Sequence, residues 1–222
     1  MIKDLSIGDK ILVNDPNKNN AEGKKILLNA HMDQIGLIVR GIDEKGFVLF
    51  DKLGGTDPRI LTGAEVIVHG KEDIFGVICS TPPHLLTAED KKSGVDISKL
   101  AIDIGFAKEE GEKIVLPGDR VTLKNNPVKL LNGNICSAAF DDRACVAAVI
   151  AAVGKIYKQI EKINLNILFS VQEEVGLRGA RSASHGIRPD VALSVDTTAA
   201  SDTPEAMMDK TVCLGKGPGI KA

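Results

Sequence analysis

The 222-residue chain predicts an α/β fold with a small β-barrel inserted into it. Three observations carry that expectation. From about residue 135 to 196 the apolar pattern alternates helix, strand, helix, strand, the order of an α/β sheet with helices. From about 44 to 130 short apolar runs recur between glycine, proline and aspartate turns, the spacing of a small all-β barrel or sandwich. Before residue 44 the apolar strands resemble those of the first pattern. The expected domains are residues 1–43 together with 131–222 as a discontinuous α/β domain, and 44–130 as the inserted barrel.

Lys10 to Val13 and Ile26 to Ala30 read as strands, separated by the turn-rich run Asn14 to Asn20. The second strand ends in His31-Met32-Asp33-Gln34. Residues i and i+2 of an extended chain face the same way, so His31 and Asp33 project together. An imidazole beside a carboxylate suits a metal ligand and its orienting partner; a hydrogen-bonded loop pair is the plainer reading. Ile35 to Val39 resumes as a strand, with Gly36 admitting another backbone. In the barrel, Phe47 to Phe50, Glu65 to Val68, Ile74 to Ile78 and Arg120 to Leu123 are the apolar runs. Pro82-Pro83 and Glu89 to Lys92 mark loops or a brief helix, and His69 and His84 read as turn residues.

Helical spacing returns after Phe140-Asp141-Asp142-Arg143. Ala144 to Ile160 carries alanines three and four residues apart, which favours helix and close packing on a sheet. Asp141 or Asp142 could cap the helix, and two aspartates are more than a cap needs. Lys158 to Lys162 forms a polar exit. Leu165 to Val171 reads as a strand buried on both faces, and it ends near Glu173 and Glu174. Sites in open α/β sheets form beyond the carboxyl ends of strands, so this pair stands where a site would be; a solvated acidic turn is the plainer reading. A short helix over Leu177 to Ser184 closes at His185-Gly186. Val191 to Val195 is another expected buried strand, ending at Asp196.

The formal net charge of -2, with both signs spread along the chain, provides no basic footprint for nucleic acid and no polybasic membrane patch. No apolar run approaches membrane-spanning length, and the N-terminus has no signal-peptide core. Cys79, Cys136, Cys145 and Cys213 form no CxxC pair, which argues against a zinc knuckle or disulfide frame. The expected compartment is the cytoplasm. Trp is absent and aromatics make up 3%, which disfavours a sugar- or base-stacking groove.

His31 with Asp33, Asp141, Glu173 with Glu174, and Asp196 all lie where apolar elements begin or end. A histidine and several carboxylates on one sheet rim suit a hydrolytic site holding one or two Zn²⁺-like ions. Bound cations would relieve the like-charge repulsion of such a cluster. Paired carboxylates also serve glycoside hydrolysis, which the missing aromatic platforms disfavour.

His31-Met32-Asp33, Ala139-Phe140-Asp141-Asp142-Arg143 and Val171-Gln172-Glu173-Glu174-Val175-Gly176-Leu177-Arg178-Gly179-Ala180 resemble motifs of the tetrahedral, glutamyl or deblocking family of dinuclear zinc aminopeptidases. Leu53-Gly54-Gly55, Pro82-Pro83-His84-Leu85-Leu86 and Ser201-Asp202-Thr203-Pro204 extend the likeness, from about Lys24 to Gly219. The resemblance implies a phosphorylase/hydrolase-like catalytic sheet, with the barrel serving dimerisation or oligomerisation. It implies that His31 and Asp196 bind one metal, Glu174 binds the other and Asp141 bridges both. Asp33 would orient His31, and Glu173 would be the general base for a metal-bridging water. The implied cofactors are two divalent ions, Zn²⁺ first, with Co²⁺ or Mn²⁺ as alternatives. Peptides are the implied substrates, and the implied assembly is a homo-oligomer from dimer to dodecamer.

Gln34 stands where relatives usually have Glu, though not at a ligand position, and Cys145 stands where glycine is frequent, a change expected to alter helix packing only. Family chains also continue past the position of Ala222, and the continuation supplies the last histidine of the second metal. The resemblance also implies a helical segment before Lys3, so the chain reads as truncated at both ends, with that second metal site incomplete. The alternative function is a truncated, catalytically silent homologue acting as an oligomerisation or interaction module.

Overall fold

The computed structural model describes residues 11–12, 23–85, 87, 94–156, 164–204, 206 and 212–220. Its strands are β1 (Ile11–Leu12), β2 (Lys25–His31), β3 (Gly36–Ile42), β4 (Val48–Leu53), β5 (Glu65–His69), β6 (Asp73–Cys79), β7 (Ala101–Asp103), β8 (Arg120–Leu123), β9 (Val128–Lys129), β10 (Ile135–Cys136), β11 (Asn164–Ser170) and β12 (Val191–Ser194). The α-helices are α1 (Lys108–Gly111), α2 (Phe140–Ile156) and α3 (Arg178–Ile187). The expected loop at 14–20, the charged run at 89–92 and the polar exit at 158–162 fall outside the described residues.

The chain divides into two compact units. The first comprises Met1–His31, Asp141–Phe169 and Ile187–Ala222. It holds a four-stranded sheet in the order β1-β11-β2-β12. β1 runs antiparallel to β11, while β12 runs parallel to β2 with Val191 opposite Ile26 and Ser194 opposite Asn29. Ala30, Leu165 and Ile167 of the sheet pack with Val149 of α2, so the alanine-rich helix lies on the sheet as its composition suggests.

Two strand expectations change here. β11 is buried at Leu165, Ile167 and Ser170 and half-buried between them. β12 is exposed at all four positions, although Val-Ala-Leu-Ser has the composition of an interior parallel strand. It is the last strand of the sheet order, and an edge strand has a neighbour on one side only.

The second unit comprises Met32–Phe140 and Ser170–Gly186. Six of its strands close into a barrel in the order β3-β4-β7-β6-β5-β8. Side chains alternate across each strand, and β6 follows the rule: Ile74, Gly76 and Ile78 are buried while Phe75 and Val77 are exposed. Phe50, Leu61, Val66, Val68 and Ile102 form the fully covered centre. A register shift between Val39 and Gly41 marks a bulge, a device that bends a strand and aids closure. Gly36 faces Val121, and a Cβ there would meet the Val121 carbonyl oxygen at 2.8 Å, the close approach its position in the strand suggested.

His69 is not a turn residue. It ends β5, where its ring bonds Asp73 at 2.7 Å and Thr122 at 2.9 Å. His84 does lie in a short 3₁₀ turn, Pro83–Leu85. α3 runs beyond His185-Gly186 to Ile187, and Arg188 takes the left-handed conformation with φ 51, the usual place for a helix to stop.

Candidate metal centre

In the first unit, three elements deliver one donor group each. β2 ends at His31, and α2 begins at Phe140 with Asp141 next. The backbone continues the β2 pairing past β12, with Val195 N–H donating to the Asn29 carbonyl at 2.8 Å. One-for-one register then sets Asp196 level with His31. His31 Nε2 lies 3.0 Å from Asp141 Oδ1 and 4.0 Å from Asp196 Oδ1. Ligand atoms of the three residues lie within 4.8 Å of one another. Donors about 2.0–2.2 Å from a tetrahedral ion sit about 3.3 Å apart. One nitrogen and two carboxylate oxygens at this spacing therefore fit a single divalent ion of the zinc class. His31 is 3% exposed, whereas Asp141 and Asp196 are 61% and 52% exposed; the imidazole is sheltered and the carboxylates face outward.

Asp142, which the sequence offers as a helix cap, also reaches the backbone of His31. It is fully buried, and its Oδ2 accepts the main-chain N–H of His31 at 3.1 Å. Two consecutive aspartates thus hold one histidine, Asp141 at the ring and Asp142 at the backbone. The peptide bond joining them is cis. Burial, above all, pushes the Asp142 carboxyl upward; the Cys145 side chain and the His31 N–H oppose the rise, and the charge of Asp196 adds to it. Its Oδ1 is buried without a hydrogen-bond partner. The Cys145 thiol lies against this carboxylate; burial first and Asp142 second raise its pKa to about 12. A charged residue inside an apolar helix start was the available signal for Asp142; Cys145 stands out in the sequence only by taking the place of a frequent glycine.

In the second unit, Asp33 meets the acidic corner. Its Oδ1 accepts the Glu173 N–H at 3.1 Å and its Oδ2 accepts the Glu174 N–H at 3.2 Å. Met32 N–H donates to the Ser170 carbonyl at 2.8 Å, so three bonds tie residues 32–33 to 170–174. Gln172, just before the pair, has φ 59, a left-handed conformation that costs a non-glycine residue of order 1 kcal/mol or more. After the pair, Gly179 packs on Val171. Its N–H donates to the Val171 carbonyl at 3.1 Å, and a Cβ there would meet that oxygen at 2.3 Å. Glycine is required by this approach of backbone to backbone.

The family of M42 glutamyl aminopeptidases matches residues 11–222. This chain belongs to that family. The lysyl aminopeptidase of Pyrococcus furiosus is 34% identical over 201 residues, covering 87% of this chain and 56% of its own length. The solved TET1 peptidase of Pyrococcus horikoshii, which can assemble into a tetrahedron or a large octahedral shell, is 37% identical with a TM-score of 0.71, over 82% of this chain and 57% of its own. A Thermotoga maritima structure described as an endoglucanase is 34% identical with a TM-score of 0.62, over 82% of this chain and 51% of its own. The chain spans from 53% to 62% of the length of the curated relatives it matches. All four cysteines of this M42 chain are unbridged, and among the described residues no helix is long and apolar enough to cross a membrane.

Proposed function

We propose that this chain carries the metal-binding and proton-transfer residues of an aminopeptidase that removes N-terminal residues from peptides in the cytoplasm. The observation that carries the reading is the convergence of His31 Nε2 with Asp141 and Asp196 oxygens within 4.8 Å, in a chain of the M42 family. His31 and Asp196 would hold one divalent ion, Asp141 would bridge to a second, and Glu174 would bind that second ion. Zn²⁺ is the leading candidate, with Co²⁺ or Mn²⁺ as alternatives. Ions held there supply a water of lowered pKa and a polarised scissile carbonyl.

The chain's own groups do the rest. Glu173 takes the proton of the attacking water and returns it to the departing amine, a contribution of about 10²–10⁴ in rate. Asp33 holds the main chain under Glu173 and Glu174. A carboxylate has roughly four lone-pair sites, so Asp33 also has capacity to orient His31, two residues earlier in the chain. Assembly into a homo-oligomer is part of the proposal, supported by the shells formed by the TET1 relative.

The test is release of amino acids from short peptides, with and without a chelator, by the wild type and by Glu173→Gln. Soluble glucans are assayed beside the peptides. Metal-dependent peptide cleavage that is lost in Glu173→Gln supports the proposal. Full activity in that variant, or turnover of glucans alone, overturns it.

A further inference from the structure

We infer that Asp142 is a positioning residue: it holds the backbone of His31 so that the imidazole meets the ion in register with Asp141 and Asp196. The inference rests on the metal reading above and assigns a part to a residue that binds neither metal nor substrate.

β2 stops at His31, so the amide of that residue sits where the ladder ends. A buried amide needs an acceptor, and the one supplied here is Asp142 Oδ2, at 3.1 Å and 111 residues away in sequence. The acceptor is itself fully buried at the start of α2. Burying a carboxylate is costly, and a neutral acceptor would have satisfied one N–H. The arrangement gains geometry. Metal–ligand distances tolerate only about ±0.2 Å, and the position of an imidazole follows that of its Cα. Asp141 acts on the ring from one side while Asp142 fixes the main chain, and the two are covalent neighbours. A shift of the helix start therefore moves both grips together. The Cys145 thiol, one helical turn on and lying against Asp142, limits the carboxylate's freedom to swing away.

The experiment titrates the 222-residue protein with Co²⁺, reading affinity and the visible absorption spectrum of the bound ion, with circular dichroism as the check on folding. Asp142→Asn keeps an acceptor at the same reach and removes the charge. Asp142→Ala removes the acceptor. Asp142→Glu keeps the charge and displaces the acceptor by one methylene. Expected results are affinity within about threefold of wild type and an unchanged spectrum for Asp142→Asn, and a loss of about 10–100-fold with a shifted spectrum for Asp142→Ala, the size seen when a partner that orients a ligand is removed. Should Asp142→Ala not fold, Asp142→Glu takes its place with the same expectation.

Wild-type affinity in the variant that lacks or displaces the acceptor overturns the inference. So does an equal loss in Asp142→Asn, since charge and not placement would then be at work. If wild type itself binds no Co²⁺, the metal reading fails, an outcome distinct from wild-type binding that is indifferent to position 142.

Discussion

Asp33 Oδ1 accepts the main-chain N–H of Glu173 at 3.1 Å, across 140 residues of chain. With the matching bond from Glu174 at 3.2 Å, one carboxylate holds both residues of the acidic corner. Hydrogen bonds to a charged acceptor contribute about 1.5–3 kcal/mol each before solvent weakens them, and this pair is only part-buried. Asp33→Ala should therefore cost about 2 kcal/mol in urea unfolding. Amide exchange at Glu173 and Glu174 should quicken more than at the barrel core. Unchanged exchange at those two amides would count against the clamp.

Glu173→Gln is nearly isosteric and retains the main-chain N–H that Asp33 accepts. Peptide cleavage should fall at least about 10²-fold, while thermal stability and ion content by elemental analysis stay at wild-type levels. A matching loss of ions would make Glu173 a ligand instead of a base.

Gly179→Ala places a methyl 2.3 Å from the Val171 carbonyl oxygen. Neither partner is a flexible side chain, so the start of α3 must move. Overpacking of this kind costs about 1–3 kcal/mol. Denaturant midpoints and cleavage rates should both fall, since the displaced segment follows directly on Glu173 and Glu174. A midpoint equal to wild type would show that α3 moves without cost.

The cysteines should separate by reactivity. Cys136 is exposed, whereas the Cys145 thiol is raised to about 12 by burial and by Asp142. The thiolate is the reactive form, so a raised pKa lowers reactivity at any pH below it. Iodoacetamide at pH 8 should label Cys136 first and leave Cys145 largely unmodified. Labelling of Cys145 should rise only as pH climbs towards 12 or as the chain unfolds. Equal labelling of the two in folded protein at pH 8 would contradict the burial of Cys145.

Much of the fold was legible because period and punctuation agree. β4, β5, β6 and β8 fall on apolar runs bounded by turn residues, and β2 and β11 end where the histidine and acidic motifs begin. The alternation in the barrel needs only one covered face. β12 was misjudged because an apolar strand reads the same at the centre of a sheet as at its edge; its neighbours decide, and they come from distant sequence. His69 failed for a related reason: its partners are Asp73, close by, and Thr122, which is 53 residues away. In the metal centre the donor types could be read from motifs. The hold of Asp142 on the His31 backbone could not, because a main-chain donor has no residue type to notice.

Phe50→Ala should remove about 3–5 kcal/mol from the barrel, because Phe50 is completely covered and belongs to its main apolar cluster. Urea denaturation read from the barrel should report the whole loss. A change below about 1 kcal/mol would mean that the site is less tightly packed than its burial indicates.

The closed order of the six barrel strands has a consequence for how the protein comes apart. A sheet that returns to its first strand satisfies its backbone by itself and presents no open side for fraying. Among the described residues its cluster contains fourteen buried apolar side chains, against four in the other unit, so most of the described hydrophobic burial is concentrated there. Opening should consequently proceed in stages, with the four-stranded sheet yielding first while the ring persists as the last cooperative block to melt.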